Sequence, residues 1–233
     1  MCGRFLLHEP PKRYAALLQA RLGDGLEAQF RPSWNVPPTR RILGAVENED
    51  GIRTLDLYRW GLIPSWTKDV TKVRNTFNAR AERAAAAPTF RAPFKRQRAL
   101  IPADSFLEWS GAGTNRQPHL FERTDGELLI FAGVWDHWKD PARGDRDDAW
   151  IRTCTIITTD AGVDMGQIHN RMPVILEADR WDRWLDRSLD DSDELEAMLQ
   201  PAPAGTITHR PVSRSFGSIA NDGPQLLDLP VET

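Results

Sequence analysis

The apolar residues of this chain come in short runs, and that pattern limits the fold more than any other feature. Seven segments read as strands: 42–46, 52–60, 98–102, 118–123, 127–135, 151–158 and 172–176. Each is rich in apolar, aromatic or β-branched residues and is bounded by turn formers, which the chain's 17 prolines and 16 glycines supply freely. Helical periodicity is confined to the margins. Residues 9–22 bring Tyr14, Leu17, Leu18 and Leu22 to one face, with Pro10 and Pro11 suited to the first turn and Gly23 and Gly25 to the end. Residues 78–87 predict a short helix stopped by Pro88. Residues 178–200 predict one or two acidic amphipathic helices with Trp181, Trp184, Leu185, Leu189 and Leu195 as the apolar side. Strands and helices do not alternate in a βαβ rhythm. The expectation is therefore an α+β fold, one domain over residues 1–233, built on a mixed, mostly antiparallel, barrel-like β-sheet with peripheral helices.

Composition narrows the function classes. No apolar run nears the roughly 18 residues of a membrane span. The start MCGRFLLHEPPKRY has no h-region and no cleavage site, so no signal peptide is expected. Two cysteines, Cys2 and Cys154, cannot frame a disulfide scaffold, which fits a reducing, cytoplasmic setting. The formal net charge of −3 hides an asymmetry: residues 1–100 carry a net +9 and residues 101–233 a net −12. Lys72 to Arg98 is the densest basic stretch, with Glu82 as its one acid. Such a stretch either gathers a polyanion or forms a solvated face with counter-charges nearby in the fold.

Several residues could carry chemistry. Cys2 becomes the mature N-terminus if Met1 is removed, as is common before a small residue. It would then bear an α-amine (reference pKa about 7.7–8.0) two carbons from a thiol (about 8.5). The amine can condense with an aldehyde to an imine and the thiol can close onto the same carbon as a thiazolidine; alternatively Cys2 is only a small second residue. Cys154, in RTCTIIT, reads as core. Asn78, in NTFNARAER, is either a helix N-cap or an amide that orients a substrate, and Arg80 and Arg83 could fork onto phosphate. Around Glu108 the alternation puts Phe106 and Glu108 on one face, Leu107 and Trp109 on the other. A carboxylate between aromatics suits proton transfer; the alternative is an exposed strand end. His169, in a polar turn before MPVIL, is either a general acid–base or a solvated turn residue. Trp34 and Trp66 lie in proline-rich loops, where indoles either stack on unpaired bases or pack beneath the loop. His8, His119, His137 and His209 show no liganding spacing, so no metal is expected. Neither a P-loop nor a dinucleotide fingerprint, GxSxG or HExxH occurs, and no cofactor is expected.

In order along the chain stand MCGRF, WNVPPT (34–39), WGLIPSW (60–66), NTFNARAE (75–82), RALIPADSFLEW (98–109), IHNRMPVIL (168–176) and HRPVSRSFGSIANDG (209–223). With these blocks, running from residue 2 to about 224, the chain resembles the SRAP family of SOS-response-associated peptidases, also called abasic site processing proteins. The resemblance implies a positively charged cleft for single-stranded DNA and covalent crosslinking to abasic sites, with AP-lyase chemistry as an associated activity. It matches Cys2 to the crosslinking residue, Asn78 to the residue that positions the sugar, and Glu108 and His169 to the proton-transfer residues. Arg4 and Arg80 match phosphate-binding positions, while Trp34, Asn35, Trp66 and Ser213 fall in blocks lining the cleft. The implied partner is abasic single-stranded DNA, bound by a monomer. The family's name keeps a second reading open, a cysteine-dependent peptidase whose activity extends at least to its own Met1.

Overall fold

The computed structural model describes residues 2–228. Its strands are β1 (Phe5–Leu7), β2 (Arg21–Leu22), β3 (Ser33–Val36), β4 (Arg41–Glu47), β5 (Arg53–Trp60), β6 (Asn78–Arg80) and β7 (Arg98–Ala103), then β8 (Ser105–Ser110), β9 (Gln117–Arg123), β10 (Leu129–Lys139), β11 (Trp150–Asp160), β12 (Arg171–Pro173) and β13 (Ile207–Pro211). The helices are short: α1 (Pro11–Leu17), α2 (Leu26–Gln29), α3 (Ala81–Ala84), α4 (Arg91–Arg96), α5 (Ala178–Leu185) and α6 (Ser192–Ala197). No helix among the described residues is long and apolar enough to cross a membrane.

Five strands close into a barrel. β4 pairs antiparallel with β5, β4 with β7, β7 with β10 and β10 with β11. A parallel contact of β5 with β11, Arg59 opposite Thr153 and Trp60 opposite Cys154, completes the ring and makes it mixed. Closure brings backbones close at Gly133, where a Cβ would lie 2.8 Å from the Ile101 side chain and 2.9 Å from the Thr155 carbonyl, so a side chain does not fit there. A second, wholly antiparallel sheet runs β13-β9-β8-β1-β3.

Period-two alternation explains how the two sheets meet. Phe5 and Leu7 of β1 join the main core, and Leu6 between them joins a smaller cluster with Leu107, Leu120, Val212, Phe216 and Leu226 on the opposite face. Phe5 meets Trp60 edge-on at 5.0 Å, which anchors the second sheet against the barrel interior. The same alternation splits Phe106 from Leu107, as the sequence predicts. Cys154, Trp181 and Trp184 are buried, also as expected.

The strand expected over 127–135 runs instead over Leu129–Lys139 as β10, and three further elements differ from the expectation. The first helix spans only Pro11–Leu17, because Gln19 turns left-handed (φ 51°) and Leu22 pairs with Leu55 in a strand. The predicted helix over 78–87 begins instead with β6, whose Asn78–Arg80 adds parallel to Ile156–Thr158 of β11; α3 follows for one turn. The segment 172–176 is a strand only to Pro173 and then crosses from β11 to β10, where the Ala132 N–H donates to the Val174 carbonyl and the Leu176 N–H to that of Ile130. The acidic helices form as predicted. α5 packs on β7, and its C-terminal carbonyls accept from the buried Arg98 guanidinium, the Trp184 carbonyl at 2.5 Å.

Candidate active site

The site forms where β11 outlasts the barrel. Past residue 155, β6 replaces β5 on one flank of β11, and β12 pairs on the other. Asn78 is thus carried opposite Ile156 by a parallel ladder. The N-cap reading of Asn78 is set aside, since Arg80 occupies the cap position of α3 and Asn78 is strand. Its side chain reaches the start of the chain instead: Nδ2–H donates to the Cys2 carbonyl at 2.7 Å, in a buried setting. Its Oδ1 is also buried and, among the described residues, has no hydrogen-bond partner.

Cys2 is fully buried, just before β1. Burial, and then the nearby Glu108 carboxylate, push its thiol well above the ordinary cysteine range, opposed by the Arg4 backbone N–H that hydrogen-bonds the sulfur. Glu108, only 4% exposed, stands on β8 beside β1, where the Leu107 N–H donates to the Arg4 carbonyl at 2.9 Å. Cys2, Asn78 and Glu108, far apart in sequence, therefore form one cluster.

His169 sits half-buried in the turn leading into β12. The Arg171 backbone N–H lies 2.9 Å from its Nδ1, and the Arg171 carbonyl lies 3.1 Å from the same nitrogen, so the ring is held against the backbone of the turn. The turn is lashed down by Arg171, whose guanidinium donates to Glu82 at 2.6 Å, Asp160 at 2.7 Å and the Thr158 carbonyl at 2.6 Å. Because Glu82 lies in α3, directly after β6, this pairing ties the histidine's turn to the element that carries Asn78. Sequence reasoning did not single out Arg171; its partners come from α3 and β11, and no local signal marks them.

The residues expected around a DNA cleft differ in surroundings. Arg80 is exposed at the end of β6. Trp66 is 66% exposed and lines a cleft of about 550 Å³ together with Lys68, Lys72 and Arg74. Trp34 is half-buried, one face stacked on His8 at 5.0 Å and 10°. Arg4 and Asn35 are woven into the fold: Arg4 Nη1 donates to Asn35 Oδ1 at 2.8 Å and to the Phe216 carbonyl at 3.2 Å, and its guanidinium lies 5.7 Å from the Trp109 ring. Burial draws the Arg4 pKa down. Asn35 Nδ2 donates to the Ser218 and Asn221 carbonyls at 3.0 and 2.8 Å, pinning the segment after β13. Ser213 Oγ accepts from the Ser215 N–H at 3.2 Å and so caps the turn 214–217. Arg80, Arg83, Arg91, Lys95 and Arg96 make no direct ion pair among the described residues, although Arg80 acts on the nearby Glu82. No group of three His, Cys, Asp or Glu able to hold a metal occurs among the described residues.

Residues 1–219 match the family model described as SOS response associated peptidase (SRAP). The chain is 36% identical over 230 residues to the Bacillus subtilis abasic site processing protein YoqW, covering 98% of this chain and 99% of that protein. It is 34% identical to the Gallus gallus abasic site processing protein HMCES, covering 88% of this chain and 68% of that one. Its fold matches the crystal structure of a protein from Bacteroides thetaiotaomicron with a TM-score of 0.86, at 24% identity, covering 99% of this chain and 100% of that one.

Proposed function

The chain belongs to the SOS response associated peptidase family, and from that premise we propose that it binds single-stranded DNA and captures abasic sites covalently on Cys2. The substrate is the one its relatives' designations name. The observation that carries the chemistry is the clamp on residue 2: Asn78 Nδ2–H holds the Cys2 carbonyl at 2.7 Å while Glu108 acts on the thiol. That bond holds the carbonyl next to the Cα that bears both the amine and the thiol-carrying side chain.

Removal of Met1 converts the Cys2 nitrogen from an amide to an α-amine. An abasic sugar interconverts between a closed hemiacetal and an open C1′ aldehyde, and Glu108 and His169 move the protons that open the ring. The neutral amine adds to C1′, the carbonyl electrons pass to oxygen, and the carbinolamine loses water to give an iminium. The thiol then adds to the same carbon. Because burial and Glu108 keep sulfur protonated in the resting site, ring closure needs a base, and Glu108 takes the thiol proton. The balance is one aldehyde, one amine and one thiol in, one thiazolidine and one water out. If sulfur fails to close, the iminium promotes β-elimination of the 3′ phosphate, which is lyase chemistry. The exposed arginines beside Asn78 and the Trp66 cleft supply phosphate attraction and a stacking surface.

The raised thiol weighs against an ordinary cysteine peptidase, whose nucleophile needs a depressed pKa. Denaturing gels test the proposal. Protein lacking Met1 should form a heat-stable one-to-one adduct with an abasic oligonucleotide and none with the intact strand. Turnover of peptides without DNA, and no adduct, would replace it with the peptidase reading.

A further inference from the structure

The sheet that carries Glu108 continues past it toward solvent, and residues unused by the chemistry above line that continuation. β8 and β9 pair with Glu108 directly across from His119, and Phe106 across from Phe121. Residues opposed across an antiparallel ladder project from one face, with Cβ atoms about 4.5–5.5 Å apart. The two phenyl rings follow the rule, stacked at 4.9 Å and 12°, so Glu108 and His119 share their face. One step outward on that face, Ser110 Oγ lies 2.9 Å from His119 Nε2. β13 adds His209, whose ring meets that of His119 at 5.2 Å. Exposure rises along this row: Glu108 is buried, His119 and Ser110 half-buried, His209 exposed.

His119 Nδ1 is itself sealed from solvent and has no hydrogen-bond partner among the described residues. A buried polar atom in that state costs roughly 1–3 kcal/mol and requires a reason. Burial, then the charge of His209, holds the His119 pKa below the usual histidine value, so the ring is neutral at neutral pH. The titratable groups facing it are Glu108 from β8 and His209 from β13; Arg116, just before β9, is turned over the Trp109 ring at 5.5 Å. A neutral ring with Nε2 against a hydroxyl can accept a proton at Nδ1 and release one from Nε2.

We propose that His119 is a positioning residue that relays protons between Glu108 and solvent by way of Ser110 during aldehyde capture. The proposal rests on the reading of Glu108 as the acid–base group. Glu108 is only 4% exposed, and a nucleotide bound against Cys2 would cover it further. In the relay the Glu108 carboxyl releases its proton to Nδ1, directly or through one water. Nε2–H passes its proton to Ser110 Oγ, and the hydroxyl hydrogen moves to bulk water. The carboxyl loses one proton, water gains one, and His119 and Ser110 finish neutral.

Single-turnover adduct formation on an abasic oligonucleotide tests this, with wild type, His119→Ala, His119→Phe and Glu108→Gln compared from about pH 5.5 to 8.5, across the range where a histidine titrates. His119→Ala should slow the reaction about tenfold, a fraction of the 10²–10⁴ typical of a whole acid–base step, while leaving affinity for the intact strand unchanged. Added imidazole should restore the rate of His119→Ala but not of His119→Phe, which fills the space. The acid limb of the wild-type profile should be steeper than that of both variants, which keep only the limb set by the Cys2 amine. A His119→Ala rate equal to wild type, or a deficit uniform in pH and indifferent to imidazole, overturns the relay. Glu108→Gln separates the two claims. If it is slow while the His119 variants are normal, the relay alone fails; if it reacts at the wild-type rate, the acid–base role of Glu108 fails first.

Discussion

Asn78→Ala removes a side-chain bond that holds residue 2, and its effect can be worked from the structure. The bond removed is a buried 2.7 Å amide-to-carbonyl hydrogen bond. Leaving the Cys2 carbonyl unpaired costs about 1–3 kcal/mol. Some of that returns in overall stability, because the same substitution deletes the buried Oδ1 that has no partner among the described residues; global destabilisation should therefore fall near the low end, about 1 kcal/mol. The reaction has no such relief. If orientation of the Cys2 amine and thiol depends on the clamp, the whole 1–3 kcal/mol appears in the barrier, a slowing of roughly 5- to 150-fold at about 1.4 kcal/mol per tenfold. Single-turnover trapping at saturating abasic oligonucleotide measures it, with thermal melting as the control for folding. Asn78→Asp should be slower still, since it sets a carboxylate oxygen against the Cys2 carbonyl and a second negative charge near Glu108. An Asn78→Ala rate within about twofold of wild type, below the low end of that range, would refute the argument that this bond positions the nucleophile.

Other expectations follow from the same geometry. Cys2→Ala with Met1 removed keeps the amine and should give a borohydride-trappable imine without a heat-stable adduct; a heat-stable product equal to wild type would remove the thiol from the mechanism. Arg80→Ala should lower the salt slope of single-strand binding by about 0.7 for each phosphate that Arg80 neutralises, and an unchanged slope would show that Arg80 meets no phosphate. Arg171 holds the Glu82 carboxyl below the usual carboxylate range. Its contribution to stability is therefore full above the unfolded value of about 4.3 and lost as pH falls through the lower folded value. The gap in urea midpoint between wild type and Glu82→Gln should be widest at neutral pH and close in acid; a gap independent of pH would contradict the pairing.

The barrel was largely legible because its strands are built from local signals. Segments 42–46, 98–102 and 151–158 each appear as a longer strand in the ring, and 52–60 as a strand that begins one residue later. The alternation through Phe106, Leu107 and Glu108 also told which residues share a face. Helix ends were less legible where a strand captured the chain: β11 draws in Asn78–Arg80 and β5 draws in Leu22, both by parallel pairing that no local period announces. The site shows the same division. Cys2 and Glu108 stood out for their chemistry and setting, yet the bond from Asn78 to Cys2 spans 76 residues and is created by the fold alone. Arg4 and Asn35 are matched by resemblance to phosphate-binding and cleft-lining positions, but their partners Phe216, Ser218 and Asn221 lie at the far end of the chain, where no local signal points to them. His119 carried no liganding pattern, and only the ladder sets it opposite Glu108.

The central claim is that both reactive atoms of one residue, the nitrogen and the sulfur of Cys2, bond to the same sugar carbon. Mass spectrometry of the tryptic peptide Cys2–Arg4 from a purified adduct, without borohydride, tests it most directly. The account predicts this peptide carrying the abasic sugar less one water, with sulfur unreactive toward iodoacetamide. A sugar attached elsewhere, or a modified Cys2 whose thiol still alkylates, would contradict it.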